Sequence, residues 1–547
     1  MADGYVAAYK KVFPELAEDS GLTLAHLDAL SDNSLAALDA WHAREDAWVA
    51  ELGKIEPEGL WGTPEWVLYG YLRNTLDSSR ATRVCRAELW PAHQYGWQIS
   101  MVAMIDKQPV GTAPLRNEAL ARWRQLPRFL ETEIDNLREG IRLGYTAPRR
   151  NVELAIEGLD ALLATDLAKS PLESPAKRDG DPRFQTQWKA LVEADILPAA
   201  RRYRDFLRDE YVAKARTTLA ITGIPNGEAC YRGSLRSFTT TDIDPATLYK
   251  RGEERVAERE ARALALARKV FGDRVTDMRA AKKLLDEDPR NRFAAPAEVL
   301  RFVGEALARA RQAAPRWFDR VPRAGLTLVP YDDFETKSRP SARYELAARD
   351  GSRPARYRID VTNVESLRRA ELEDTAFHEA IPGHHLQIAL GQELPGQHEI
   401  VDISSTSAFA EGWARYGESL ADEMGLYSAD IDRLGWVAHP PTGMVVDPGI
   451  HVMGWSRERA IAYAMQKQIS FTPDEAAAYV DTIAVWPGQV VSYGVGELEI
   501  LTLRRQAEAE LGRRFDIKAF HGRVLAHGAI TLPMLRQAVA HWIAAER

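Results

Sequence analysis

The chain has 547 residues, of which 45% are hydrophobic and 27% are charged, a composition typical of a globular protein with a large core. Its formal net charge of −8 argues against nucleic acid as a partner, because phosphate binding requires a basic surface. The sequence has no run of 18 apolar residues and no signal-peptide pattern at its start, so we expect neither membrane insertion nor export.

The cysteine content bears on the cellular compartment. Cys85 and Cys230 are the only two cysteines and lie far apart in the sequence. This pattern predicts neither a disulfide framework nor a thiolate metal cluster, and it is typical of a reducing compartment. We therefore predict a cytoplasmic protein, whose oligomeric state the sequence does not define.

Most of the chain has the apolar periodicity of amphipathic helices. The clearest predicted helices are Leu115–Leu143, Val152–Leu163, Leu191–Ala213 and Pro245–Val270. Within the first of them, Pro127 predicts a kink or a restart. The charged run from Ala257 to Lys283 is typical of a solvated helix face.

Two short segments rich in β-branched and aromatic residues, Leu326–Tyr331 and Ala355–Val361, predict strands, and a further helix is expected from about Asn363. The predicted fold class is mainly α, with a large helical body, an active-site cleft and a small sheet near the site. We expect a single helical domain over residues 1–547. Within it, residues 1–320 are mostly helical and residues 321–547 carry the site.

The predicted second half contains a near match to the zinc-peptidase signature H-E-x-x-H. In that signature two histidines one helical turn apart bind the metal, and the glutamate is the general base. Here His378 and Glu379 open the motif, but Pro382 stands where the second histidine belongs. Two further histidines, His384 and His385, follow at once.

In an unbroken helix neither of these histidines could join His378 at one ion, because six or seven residues span ~9 Å or more. Pro382 and Gly383 favour a local bulge, since proline removes a backbone donor and glycine tolerates unusual dihedral angles. Two looped-out residues would bring His384 into the position of the second ligand. His385 is the alternative.

A second segment supplies a carboxylate for the same site. Glu411 follows His384 by 27 residues on a predicted helix that can return antiparallel, which makes it the best candidate for a third metal ligand. Glu418 lies seven residues further on, on nearly the same helix face. It could therefore hold one of the ligating histidines from behind.

Taken together, these residues resemble the bacterial family known as domain of unknown function 885. The likeness rests on the His378-Glu-Ala-Ile-Pro-Gly-His-His run and on the Glu-Gly-Trp-Ala-Arg-Tyr-Gly-Glu run from Glu411. Further matches are Val446–His451, Trp486–Gln489, Tyr493–Gly496, Ile224–Tyr231 and Thr239–Thr241. The resemblance covers nearly the whole chain, from about Cys85 to Leu535.

The resemblance implies a gluzincin-type zinc metallopeptidase with an all-helical body similar to those of oligopeptidases and peptidyl-dipeptidases. Related sequences carry at most one extra residue before the Gly-His pair, which favours His384 as the ligand. Two positions depart from the family pattern, because Gly443 and Gly494 replace basic residues. Their replacement implies a weaker grip on a substrate carboxylate.

The expected chemistry is zinc-assisted hydrolysis of short peptides, with a metal-activated water and Glu379 as general base. The zinc ligands are His378, His384 and Glu411, and Tyr493 and His451 are the candidate donors to the oxyanion. One alternative is a zinc-dependent amidase acting on a modified peptide or a small metabolite. Another is a metal-free helical binding protein whose peptidase site has decayed.

Overall fold

The computed structural model describes residues 1–331, 342–348, 351, 353–404 and 406–547. Helices dominate this part of the chain, which confirms the predicted fold class of mainly α with a small sheet. None of the described helices combines the length and the apolar character that crossing a membrane requires.

The helices, in chain order, are α1 Ala2–Val12, α2 Pro14–Asp19, α3 Leu35–Leu52, α4 Pro64–Thr82, α5 Trp97–Lys107, α6 Ala113–Trp123, α7 Leu126–Leu143, α8 Arg149–Ala164, α9 Ser174–Arg178, α10 Pro182–Leu191, α11 Leu197–Phe206, α12 Gly227–Thr239, α13 Pro245–Phe271, α14 Met278–Glu287, α15 Pro296–Ala313, α16 Arg369–Glu379, α17 His384–Gln392, α18 Ile400–Ile403, α19 Ser407–Glu423, α20 Asp430–Val437, α21 Gly443–His451, α22 Arg457–Lys467, α23 Pro473–Ile483, α24 Val491–Leu511, α25 Ile517–Leu525 and α26 Leu532–Glu546.

The first predicted helix is two helices, α6 and α7, because Pro127 sits in the first turn of α7. Proline is tolerated there, since the first turn has no intrahelical partner for its missing N–H. The segment predicted from Leu191 is helical, with π-helical turns at Val192–Ile196 and Leu207–Tyr211. The helix expected from about Asn363 starts later, at Arg369.

Three strands form one small sheet in the order β1–β3–β2: β1 Leu326–Pro330, β2 Ala342–Glu345 and β3 Ala355–Ile359. β3 is central and pairs parallel with β1 and antiparallel with β2. The sequence predicted β1 and β3 but missed β2, which has a single aromatic residue and no β-branched one. The inner face of the sheet packs on α15 and α16 through Tyr357 and Ile359.

The chain forms two compact units. The first comprises Met1–Gly233 with the short segments His398–Ser404 and Ala484–Trp486, and the second comprises the remainder from Ser234. Whether the chain works as the single family domain predicted from its sequence stays a prediction.

Within the first unit, Cys85 and Cys230 form a disulfide that closes a loop of 145 residues. The prediction that the two cysteines give no disulfide was therefore wrong. The prediction relied on the distance between the two cysteines along the sequence, but α4 ends beside Cys85 and α12 begins just before Cys230. Wide spacing does not prevent a bridge when the fold brings two helix ends together.

In the second unit, helices α19 and α24 cross with their backbones in contact. A Cβ added to Gly412 would overlap with the backbone of Gly496, and one added to Gly496 would overlap with Ala408. Only glycine allows this approach. The crossing matters for function because α19 carries Glu411 and α24 carries Tyr493.

Candidate metal centre

The motif that opens with His378 lies where α16 ends and α17 begins. α16 stops at Glu379, the chain turns through residues 380–383, and α17 starts at His384. The prediction of a bulge inside one continuous helix was thus wrong in form, because the chain leaves the helix altogether. The consequence expected from the bulge, that His384 returns to the side of His378, is what the turn produces.

Two contacts fix this turn. A Cβ on Gly383 would overlap with the carbonyl oxygen of His378, so the close passage requires glycine. The indole Nε1 of Trp413, a fully buried residue of α19, donates a hydrogen bond of 2.9 Å to the carbonyl oxygen of Pro382. The Gly-Trp pair that follows Glu411 in sequence therefore positions both the helix and the turn.

Three side chains converge at this turn, and we call them the His378 cluster: His378, His384 and Glu411. The Oε2 atom of Glu411 lies 3.6 Å from Nε2 of His378 and 3.4 Å from Nε2 of His384. The two imidazole rings are 4.8 Å apart and nearly perpendicular. Two imidazoles and a carboxylate around one point form the ligand set of catalytic zinc sites that keep a position open for water.

The hydrogen bonding of the His378 cluster fits a cation. Oε2 of Glu411 is buried and makes no hydrogen bond, although two ring nitrogens face it at 3.4 and 3.6 Å. A buried carboxylate oxygen is seldom left without a partner in a native protein. A zinc ion between these three atoms would satisfy the oxygen and both Nε2 lone pairs, so the residues present fit the metal.

The charges within the cluster are strongly coupled. Burial alone would lower the pKa of His378, but its contacts with Glu411 and Glu418 outweigh burial and raise that pKa well above the usual value. Burial likewise opposes ionisation of Glu411, yet the two histidines lower the pKa of its carboxyl to about 2. The pocket is therefore built to hold positive charge against a carboxylate.

A second carboxylate orients His378 from behind. Nδ1 of His378 lies 2.7 Å from Oε1 of Glu418 and donates to it, which leaves Nε2 facing Glu411. Glu418 in turn forms an ion pair of 2.7 Å with the buried Arg415. This is the supporting arrangement predicted for Glu418, and such partners fix the tautomer and raise the basicity of a metal-binding histidine.

Glu379, the predicted general base, ends α16 beside His378. Its Oε2 accepts a hydrogen bond of 2.9 Å from the backbone N–H of Tyr344 in the edge strand β2. The small sheet thus has a specific role at the site, since one strand holds this carboxylate in place.

Tyr493, on α24, places its ring 6.4 Å from the ring of His378 at an interplanar angle of 18°. Burial, followed by the negative charge of Glu411, raises the pKa of its hydroxyl above the usual value. The phenol therefore stays protonated and can donate a hydrogen bond next to the cluster.

Two predicted or alternative residues lie elsewhere. His385 is buried on another side of the turn, with Nδ1 3.3 Å from the hydroxyl of Tyr344, and burial lowers its pKa to about 4. His451 is fully buried at the C-terminal end of α21, where Nε2 donates to the carbonyl oxygen of Ile483. The structure brings neither residue to the His378 cluster.

A cavity of about 410 Å³ adjoins the cluster, and the rings of His378 and Tyr493 form part of its wall. Its apolar lining residues include Pro441, Phe471 and Val490. His439, which was not among the predicted site residues, also lines this cavity. The missed signal was the pair of prolines after it, Pro440 and Pro441, which restrict the backbone and fix the loop.

The two positions that depart from the family pattern lie where α21 and α24 pack together. A Cβ on Gly443 would overlap with the carbonyl oxygen of Val490, and one on Gly494 would press on Pro441 and Met444. These glycines therefore serve close packing beside the cavity and leave no space for a basic side chain.

Comparison with known proteins identifies the family. The family described as "Bacterial protein of unknown function (DUF885)" matches residues 14–539, and the chain belongs to it. No curated protein sequence matches the chain.

Two solved structures share the fold. One, described as a "putative lipoprotein" from Colwellia psychrerythraea, has a TM-score of 0.87 at 22% identity, with 100% of each chain covered. The other, described as a "putative lipoprotein of unknown function" from Shewanella oneidensis, has a TM-score of 0.77 at 19% identity, with 98% of each chain covered. At these identities the likeness establishes the fold alone.

Proposed function

We propose that the protein is a zinc-dependent metallopeptidase of gluzincin type that hydrolyses short peptides. The observation that carries the proposal is the convergence of two Nε2 atoms and one unpaired carboxylate oxygen at the start of α17. His378, His384 and Glu411 would hold the metal. When bound, zinc supplies a Lewis acid that polarises a carbonyl and lowers the pKa of a water molecule.

The residues around the cluster would do the proton work. Glu379, held by the N–H of Tyr344, takes a proton from the attacking water and passes it to the leaving nitrogen. Tyr493, kept protonated by burial, donates to the oxygen on which negative charge develops. Glu418 keeps Nδ1 of His378 protonated so that Nε2 stays directed at Glu411. His451 has no part in this scheme.

Two alternatives stand beside this proposal. A zinc-dependent amidase acting on a modified peptide or small metabolite would use the same groups. The close packing around Gly443 and Gly494 favours the amidase, because it leaves no basic side chain at these positions to bind the terminal carboxylate of a peptide. A metal-free binding protein with a decayed site is disfavoured by the unpaired oxygen of Glu411, since a decayed site has no reason to keep a buried carboxylate unsatisfied.

The cellular location is likewise open to proposal. The Cys85–Cys230 disulfide favours an oxidising compartment, because cytosolic thiols are kept reduced. Both similar structures are described with the word lipoprotein. These two features favour a site of action outside the cytoplasm over the predicted cytoplasmic one.

The proposal is tested by metal analysis combined with one substitution. The purified chain should contain about one zinc per molecule after extensive dialysis and should cleave members of a peptide library read by mass spectrometry. The Glu379→Gln variant should keep the zinc and lose activity by 10³-fold or more, because the base is removed and the ligands remain.

The matched control is Glu365→Gln, which changes an exposed carboxylate outside the site and should leave activity unchanged. Unaltered turnover in Glu379→Gln would contradict the assignment of the base. A chain that holds no zinc and cleaves no library member would exclude the proposal itself.

A further inference from the structure

The ring of His439 is held in one tautomer. A guanidinium nitrogen of Arg415 lies 3.0 Å from Nδ1 of His439, and a second one donates to the backbone carbonyl oxygen of the same residue at 2.5 Å. Arginine has donors and no acceptors, so Nδ1 must offer its lone pair. Oδ2 of Asp374 lies 3.7 Å from the same Nδ1, beyond hydrogen-bond distance, so the donor of the ring is Nε2, which points away from Arg415.

This donor belongs to the wall of the cavity beside the His378 cluster, where the side chain of His439 is 40% exposed. Two other polar residues of the wall have partners within the protein, although Oε1 of Gln468 makes no hydrogen bond. Asp374 accepts a hydrogen bond of 3.0 Å from Tyr427, and Gln468 donates one of 2.7 Å to Thr442. The Nε2–H of His439 is thus well placed to meet an acceptor that enters the cavity.

The charges of the wall exclude a carboxylate as that acceptor. Asp374 and Glu418 both line the cavity, and each is buried. Among the described residues of the wall, the only guanidinium belongs to Arg415, and its contacts with Glu418 and His439 already occupy it. A further anion brought here would be repelled by two carboxylates, and no free side-chain cation among the described residues of the wall would compensate.

The size and lining of the cavity indicate which kind of side chain it can hold. A volume of about 410 Å³ is ample for one side chain, and the lining includes Pro441, Phe471, Tyr479 and Val490. Removing an apolar side chain from water stabilises the complex in proportion to the apolar area buried. A side chain that carries a carboxylate would lose hydration and find no free partner of opposite sign.

We propose that this cavity is the subsite for an apolar residue of the substrate, and that the Nε2–H of His439 binds a peptide carbonyl beside it. The inference rests on the proposed peptidase function and states which part of the peptide sits next to the scissile bond. His439 is a positioning residue, and the preferred substrates carry no free carboxylate at this subsite.

Two substitutions separate the two ring nitrogens. In His439→Asn the side-chain amide can take over the contact of Nδ1 with Arg415, but nothing replaces Nε2–H. In His439→Gln the amide N–H reaches the position of Nε2, and the contact with Arg415 is lost. With a short peptide blocked at both ends, His439→Asn should raise KM about tenfold while kcat changes by less than about threefold.

His439→Gln should restore KM to within about threefold of the wild-type value. Both variants should keep zinc and melt as cooperatively as the wild type, which separates a contact with substrate from a role in folding. A wild-type KM in His439→Asn, or an equal loss in both variants, would overturn the assignment of Nε2–H.

Binding without turnover gives the second measurement. N-acetyl-leucinamide and N-acetyl-leucine differ only in a terminal carboxamide against a carboxylate, and each can be titrated into the Glu379→Gln protein by calorimetry. The carboxamide should bind at least tenfold more tightly, and His439→Asn in the same background should remove most of that advantage. Tighter binding of the carboxylate would refute the subsite.

The two measurements distinguish this inference from the function on which it rests. If the library shows no cleavage but the carboxamide binds in a His439-dependent manner, the peptidase proposal fails and the subsite stands. If peptides are cleaved and both His439 variants behave as wild type, the subsite fails and the peptidase proposal stands.

Discussion

Helix α19 takes part in two histidine sites whose hydrogen bonding differs. Towards His378 it presents Glu411, whose buried Oε2 has no hydrogen-bond partner. Towards His521 it presents Tyr416, and there the ring is fully satisfied: Nδ1 donates to the carbonyl oxygen of Trp317, and Nε2 accepts from the Tyr416 hydroxyl, both at 2.8 Å. The proposed metal site and the site of His521 therefore differ in whether their hydrogen bonds are satisfied.

The pKa values of the two histidines diverge for the same reason. Burial lowers the pKa of His521 to about 3, because no carboxylate lies against its ring. The pKa of His378 moves the other way despite burial, because Glu411 and Glu418 face both of its nitrogens. Substitutions at the first site should therefore change metal binding, and substitutions at the second should change stability.

The largest expected effect follows from removing the unpaired carboxylate. Glu411→Ala should lower zinc affinity by 10³-fold or more, equivalent to about 4 kcal/mol, because one of three protein ligands is lost. Competition with a chromophoric chelator measures this affinity. Glu418→Gln should lower it by only 10- to 100-fold, since it changes the group that orients His378 and leaves the ligands in place.

Glu423→Ala is the control on the same helix. Its carboxylate pairs with Arg504, away from the His378 cluster, and its loss should leave zinc affinity unchanged. Stoichiometric zinc retained by Glu411→Ala at nanomolar free metal would show that Glu411 is not a ligand and would end the contrast between the two sites.

The sequence predicted one of these sites better than the other. His378, Glu411 and Glu418 could be assigned because the H-E pair and the later Glu-Gly-Trp run limit the available chemistry. His384 could be chosen over His385 only by assuming a distortion of the helix. The distortion is a complete break between α16 and α17, and no periodic pattern in the sequence encodes it. The helices could be predicted because apolar periodicity is a local property of the sequence. The turn depends instead on contacts such as the hydrogen bond from Trp413 to Pro382.

What could not be predicted depends on contacts distant in sequence. The cavity role of His439 arises from Arg415, which lies 24 residues earlier, and the Cys85–Cys230 bridge spans 145 residues. His451 belongs to a motif of the family, but its side chain contacts Ile483. A shared motif does not reveal which way its side chains point.

The second prediction concerns the site of His521 and its contribution to the stability of the protein in acid. The folded pKa of His521, about 3, lies below the value of 6.5 for the unfolded chain, so between these values the unfolded chain binds more protons. The stability from this site is complete above pH 6.5 and falls as the pH is lowered towards 3. At pH 4.5 the loss should be about 2–3 kcal/mol relative to pH 7.5.

Urea unfolding of the metal-free protein at both pH values measures this loss, with His521→Phe as the comparison. The variant should be less stable at pH 7.5, because Trp317 and Tyr416 lose their partner. Its stability should nevertheless fall less in acid, by the amount that His521 contributes to the loss. An identical acid loss in both proteins would show that His521 does not titrate as its burial requires.

The smallest effect should come from deleting one hydroxyl on the same helix. Tyr416→Phe removes the donor to Nε2 of His521 and leaves that nitrogen buried without a partner, which should cost about 1–2 kcal/mol in urea unfolding. Zinc content and turnover should not change, since Tyr416 faces away from the His378 cluster. Tyr493→Phe removes a hydroxyl beside the cluster and should do the reverse, lowering turnover with a smaller loss of stability. If both variants lost stability equally and both kept full activity, satisfaction of hydrogen bonds would not distinguish the two sites that α19 connects.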